Sequence, residues 1–107
     1  MFELEVDAQA RSWLDSHPAD AYVIAYDVHR CCGGGKLCEV RVRELSRRDT
    51  IDGHVSAALA DGTRFLIDRR AAARLPSRFG LTVRGLGRMK HLDLRLDAEE
   101  WGDLLYT

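Results

Sequence analysis

Apolar and polar residues alternate from the first residues of the chain. Phe2, Leu4 and Val6 are separated by Glu3 and Glu5, which predicts a short half-buried strand. Asp7 is placed to cap a helix in which Ala10, Trp13 and Leu14 fall at helical spacing, and His17-Pro18 ends it. Residues 22–29, YVIAYDVH, carry few charges and predict a second strand. Residues 38–45, CEVRVREL, predict a third, with Cys38, Val40 and Val42 on one face and Glu39, Arg41 and Arg43 on the other.

Further along, HVSAALADGTRFLID sets Asp61-Gly62 between two apolar runs, which predicts a hairpin with a two-residue turn, both turn positions having positive φ. Asp68 is a cap for a short helix over 69–75, stopped by Pro76. Strands are expected at 81–86 and 91–96, the second alternating Leu92, Leu94 and Leu96 with His91, Asp93 and Arg95. Asp97 with Glu100 three residues later opens a last helix like a capping box, and its Trp101, Leu104 and Leu105 are expected to dock on a sheet. The sum is six or seven short strands and two or three helices. It predicts a small, strand-rich, mainly antiparallel α+β domain with helices near both termini, residues 1–107 forming a single unit.

Composition narrows the classes. A chain of 107 residues has room for one core, and 46% hydrophobic with 31% charged residues excludes a disordered or fibrous architecture. Sixteen basic and seventeen acidic residues give a formal charge of −1, without long blocks of one sign, so no nucleic-acid partner is expected. No apolar run reaches the length of a signal peptide or a membrane span, and a cytoplasmic location without a membrane partner is the expectation. Three cysteines are an odd count for a disulfide framework, and a reducing compartment disfavours one further. Reactive or metal-binding thiols fit better.

Those thiols concentrate in HRCCGGGKLC. The pattern predicts that residues 30–37 connect two strands, longer than a tight turn needs. Adjacent cysteines in an extended chain point to opposite sides, so Cys31 and Cys32 serve one metal only where the backbone leaves strand geometry. Gly33, Gly34 and Gly35 supply that freedom. Arg30 and Lys36 favour the thiolate, the form that attacks or ligates. With Cys38 and His29 the loop offers three thiols and an imidazole, a sufficient first shell for zinc or for part of an iron–sulfur cluster. Two readings of Cys38 stand, core packing beside Val40 and Val42 or a ligand. His29 likewise reads either as a ligand or as a solvated or ion-paired side chain beside Asp27.

Other features carry less. GGGK lacks the Ser or Thr that follows the lysine of a phosphate loop, since Leu37 stands there. His54 and His91 read as surface residues, with His91 near enough to the C-terminus to return toward the loop. Arg69, Arg70, Arg74 and Arg78 read as a solvated helix face.

The order of parts resembles the HesB/IscA-like A-type carrier fold: an opening strand and helix, YVIAYDVHRCCGGGKLCEVRV as strand–loop–strand, DGTRFLID, a short helix, then GLTVRGLGRMKHLDL. The doublet Cys31-Cys32 is similar to the CC/Se-motif (seleno)protein branch, in which selenocysteine replaces one member. The Cys-Cys-Gly segment and the stretch 87–92 are its specific parts. The resemblance implies a carrier-like domain with a thiol site at Cys31 and Cys32. A-type carriers also hold a Cys-x-Cys pair near the C-terminus, and this chain has no cysteine after Cys38. Completing a cluster's ligands here takes Cys38, a histidine or a second subunit, so a homodimer and an iron–sulfur or redox protein are the expected partners.

Two functional classes follow. The first is a non-enzymatic protein binding an iron–sulfur cluster, zinc or iron through Cys31, Cys32, Cys38 and His29. The second is a thiol oxidoreductase in which one of Cys31 and Cys32 is the nucleophile and its neighbour, or Cys38, resolves the oxidised form. An interaction domain with idle cysteines stands behind both.

Overall fold

The computed structural model describes residues 2–30, 36–49, 53–59 and 61–106; the side chains of residues 29, 30, 36–38 and 106 lie outside the description. The described chain is a small α+β domain with two sheets and three α-helices: β1 (Glu3–Val6), α1 (Ala8–Ser16), β2 (Tyr22–Arg30), β3 (Lys36–Glu44), β4 (Val55–Ala58), β5 (Arg64–Ile67), α2 (Arg69–Ala72), β6 (Arg78–Arg84), β7 (His91–Arg95) and α3 (Ala98–Tyr106). A short 3-10 turn, Gly87–Met89, joins β6 to β7.

One sheet has the order β1-β6-β7 and the other β3-β2-β5-β4. Pairing is mainly antiparallel, in the three ladders β2–β3, β4–β5 and β6–β7, with two parallel ladders that the pattern does not predict: β1 beside β6 and β2 beside β5. Both parallel pairs come from crossovers, because α1, β2–β5 and α2 lie between β1 and β6, and β3 and β4 lie between β2 and β5, so neither pair is a local hairpin.

One buried cluster binds the layers. Tyr22, Ile24, Tyr26, Phe65 and Ile67 of the four-stranded sheet meet Phe79, Leu81, Leu92 and Leu94 of the three-stranded sheet, with Leu14 from α1 and Leu104 from α3. Tyr22 stacks on Phe65, centroids 5.5 Å apart, and Phe2 meets Phe79 edge-on at 5.9 Å. Caps start the helices where the sequence predicts. Asp7 Oδ1 accepts from Ala10 N at 2.8 Å, and Asp68 Oδ1 accepts from Arg70 N at 2.8 Å. At α3 the box is reciprocal: Glu100 N donates to Asp97 Oδ1 at 2.8 Å and Asp97 N donates to Glu100 Oε1 at 3.0 Å.

Three local expectations change. The Asp61-Gly62 segment is not a two-residue turn: Leu59 N donates to Thr63 O at 2.9 Å, closing a five-residue connection 59–63. Among the described residues of that connection only Gly62 has positive φ, +94°, and Asp61 instead accepts from Thr63 N at 2.9 Å. The second helix is one turn, Arg69–Ala72, because the chain tightens through residues 73–75 ahead of Pro76. The sixth strand starts at Arg78, three residues early, since parallel pairing with β1 recruits Arg78, Phe79 and Gly80 before the apolar run begins.

Candidate functional site

The β2–β3 hairpin positions the cysteine segment. Its ladder runs from Tyr22↔Glu44 to Arg30↔Lys36, so the connection is five residues, 31–35, and not the eight of 30–37. The alternation extends further because His29↔Leu37 and Arg30↔Lys36 also pair. Cys31, Cys32 and the three glycines lie outside the described residues. The backbone of His29 and Cys38 is described and their side chains are not.

β5 pairs only with Tyr22, Ile24 and Val23 of β2, so from Ala25 onward β2 keeps β3 as its ladder partner. Tyr26 is still 3% exposed, but Asp27 and Val28 are exposed, Val28 by 42%. The ribbon therefore leaves the core between Tyr26 and Val28. Its far end carries Arg30 and Lys36, and Cys38 is the register partner of Val28. Cys38 stands two residues, roughly 6–7 Å along the ladder, from the Arg30–Lys36 pair.

Register also separates the candidate ligands. Cys38 shares ladder parity with Val28, Val40 and Val42; His29 shares it with Asp27, Leu37 and Glu39. The two positions belong to opposite faces of the ribbon. Among the described residues no group of three or more His, Cys, Asp and Glu is gathered as for a metal ion.

A charged belt surrounds the base of the ribbon. Arg41 Nε meets Glu39 Oε1 at 2.7 Å on β3. Arg43 grips the Asp49 carboxylate with both guanidinium nitrogens, one at 2.7 Å, and Asp49 Oδ2 also accepts from Ser46 N at 2.6 Å. The arginine bonds, then the backbone bond, hold the Asp49 carboxyl well below the usual carboxylate range. This ties the end of β3 to the turn that follows it.

Of the arginines after β5, Arg69, Arg70 and Arg78 are exposed, as expected of a solvated face, and Arg74 is half-buried; they also make specific contacts. Arg70 Nη2 donates to Tyr26 O at 2.6 Å, and Arg74 donates to the Tyr26 hydroxyl and, at 3.5 Å, to Leu104 O. Both guanidinium groups lie over the Tyr26 ring, at 5.2 and 5.5 Å from its centroid. Arg78 spans Glu3 and Glu5 at 3.2 and 3.1 Å, and the Arg69 guanidinium lies beside Gly53. The signal in the sequence was the spacing of 70 and 74, one helical turn apart, opposite a tyrosine in the buried parity of β2.

Of the two histidines read as surface residues, His54 differs from expectation and His91 does not. His54 is half-buried, with Nδ1 enclosed and without a hydrogen-bond partner, and Asp68 is among its electrostatic neighbours. His91 is exposed, and its Nδ1 donates to Met89 O at 2.9 Å inside its own hairpin.

The described residues thus define a class: an α+β domain with a long two-stranded ribbon, β2–β3, in which Cys38 stands near the start of β3 and Cys31 and Cys32 belong to the connection outside the described residues. No protein-family model matches the chain, and no curated protein does. Among solved structures it is similar to SufA of Escherichia coli, a protein involved in biosynthesis of iron–sulfur clusters, at 13% identity and a TM-score of 0.47, covering 86% of this chain and 78% of that one. At that identity and score neither fold nor function is argued from the likeness. Among the described residues no helix is long and apolar enough to cross a membrane.

Proposed function

We propose that this chain is a small intracellular thiol-site protein that binds a metal ion or an iron–sulfur cluster through Cys31 and Cys32, with Cys38 as the third thiol. The observation that carries the reading is the 42% exposure of Val28 at the register position of Cys38. A cysteine at a level where the core has already ended serves packing poorly, and one within a few residues of two further thiols serves ligation well. Because a disulfide needs Cα atoms about 4.4–6.8 Å apart, Cys38 and the pair fit a shared ion better than a direct bond unless the connection turns back along the ribbon. Three consecutive glycines permit such a turn.

The donor set fits the group chemically, since thiolates suit zinc and iron–sulfur clusters alike. Bound there, zinc would tie the connection down, and a cluster would add one-electron redox chemistry or serve as cargo. The chain's own contribution is to set the thiols in and beside the β2–β3 connection with Arg30 and Lys36 near them in sequence, favouring the thiolate. His29 is the weaker fourth donor, because its ladder parity opposes that of Cys38. A ligand from a second copy completes the shell more simply, which makes a homodimer part of the proposal.

Anaerobic purification with elemental analysis and an absorption spectrum tests it, on the wild type and on Cys31→Ser with Cys32→Ser. Stoichiometric iron or zinc that disappears in the double variant is the expected result. A metal-free wild type with low-pKa, readily oxidised thiols overturns it in favour of a redox centre.

A further inference from the structure

Helix α1 has two used faces. Ala10 and Leu14 enter the core, while Gln9, Ser12, Trp13 and Ser16, spaced along another side, form one wall of an open groove of about 650 Å³. The opposite wall is the end of β6 and its connection to β7, including Leu86 and Lys90. Trp13 is held in place by His17, whose ring stacks on it at 3.9 Å and 14°.

That connection is built tightly. Gly85 has φ +93°, and a Cβ there would stand 2.3 Å from Met89 O, so only glycine permits the closure. Met89 N donates to Leu86 O at 3.0 Å, and His91 fixes Met89 O from the other side. Yet this closed turn directs its largest apolar side chains into water: Leu86 is 85% and Met89 76% exposed. Among the described residues the exposed large hydrophobics are these two and Val28, so the pair is a local concentration and not scatter.

Charge selects the kind of occupant. The groove lining contains Arg84 and Lys90 and, among the described residues, no carboxylate. Arg84 is held by Asp93 at 2.9 Å, whereas Lys90 and the neighbouring Arg88 have no ion-pair partner among the described residues. A small anion in the groove would leave Met89, which does not line it, in water. A polypeptide lying across the turn covers both apolar side chains and answers the free cations.

We propose that the groove between α1 and the β6–β7 turn is a docking surface for an acidic, amphipathic segment of a partner protein, its apolar side chains meeting Trp13, Leu86 and Met89 and its carboxylates facing Arg88 and Lys90. This surface is independent of the cysteine segment and stands or falls separately from the metal reading.

The test is amide and indole NMR shifts on titrating a small panel of synthetic peptides that carry leucine and phenylalanine on one helical face and glutamate on the other. Shuffled peptides and versions with lysine for glutamate are the controls. Shifts confined to the Trp13 indole and to Leu86, Met89 and Lys90, at least about tenfold weaker in the Leu86→Ser, Met89→Ser double variant, are expected. The Arg88→Glu, Lys90→Glu variant is expected to prefer the lysine peptides. The substituted positions, Leu86, Arg88, Met89 and Lys90, are exposed, so an unchanged spectrum elsewhere certifies the fold of each variant. Absent shifts, equal shifts with shuffled peptides, equal shifts with benzoate alone, or concentration-dependent broadening of the same signals without peptide each overturn the proposal, the last by making a second copy the occupant.

Discussion

Val28 and Cys38 are register partners across the β2–β3 ladder, and Val28 is 42% exposed while Tyr26, two residues back on the same parity, is 3% exposed. The core therefore ends between these two pairs, on the near side of Cys38. Cys38→Ser is expected to move the thermal midpoint by less than about 4 °C, the shift that 1 kcal/mol gives in a domain of this size. Val42→Ser, at a position of the same parity that is 9% exposed, serves as the comparison and is expected to cost at least about 2 kcal/mol. Thermal unfolding of both, in metal-free buffer, checks the pair; equal losses would return Cys38 to the core.

Much of this architecture is legible in the sequence because it is local. Asp7, Asp68 and the Asp97/Glu100 box start helices from hydrogen bonds made within three residues. The alternation in β3 and β7 likewise reports faces correctly. What the pattern does not carry is partner choice: nothing in YVIAYDVH says that one neighbour is antiparallel β3 and the other parallel β5. The same limit applies to Arg70 and Arg74, whose partner Tyr26 lies 44 and 48 residues away. The cysteine segment was legible as chemistry, from residue type and spacing, while the exposure of Val28, the register partner of Cys38, depended on where β5 stops pairing.

Gly85 and Gly87 both have positive φ, but only Gly85 has backbone in the way of a Cβ. Gly85→Ala is expected to lower stability by about 2–3 kcal/mol, combining the left-handed conformation with displacement of Met89 O. Gly87→Ala, with open space around it, is expected to cost about 1 kcal/mol. Chemical denaturation of the two single variants measures the difference, and equal costs would show that the turn relaxes around a side chain at 85.

Arg74 reaches the hydroxyl of a tyrosine that is almost wholly buried, and Arg70 reaches the same residue's carbonyl. Tyr26→Phe removes the hydroxyl and keeps the ring, so it is expected to cost about 1–2 kcal/mol, while Arg74→Met costs the hydrogen bond and the contact over the ring. In a double-mutant cycle the two losses are expected to be non-additive by at least about 0.5 kcal/mol. Additive losses would mean that the two side chains do not support one another.

Asp7 and Asp49, together with Asp61 and Asp68, are carboxyls held below the ordinary value in the fold, and the first two are expected to contribute to the acid limb of the stability curve. The Thr82 hydroxyl, then Ala10 N, holds Asp7 below the ordinary carboxylate value, and Arg43 with Ser46 N does the same, more strongly, for Asp49. A carboxyl whose folded pKa is depressed contributes stability that is fully present above its unfolded pKa of about 3.9 and is lost as pH falls through the lower folded value. Stability is therefore expected to decline below about pH 4 in the wild type. Asp49→Asn removes the proton-linked part and leaves Arg43 without its charged partner, so it is expected to be less stable at pH 7 and to show a flatter decline in acid. Asp7→Asn keeps a capping oxygen and is expected to flatten the limb with little loss at pH 7, whereas Asp7→Ala loses about 1 kcal/mol at neutral pH as well. Denaturant titrations at pH 7 and at steps down to about pH 2.5 separate the three, and an Asp49→Asn curve parallel to the wild type would remove the Arg43 pair from the acid response.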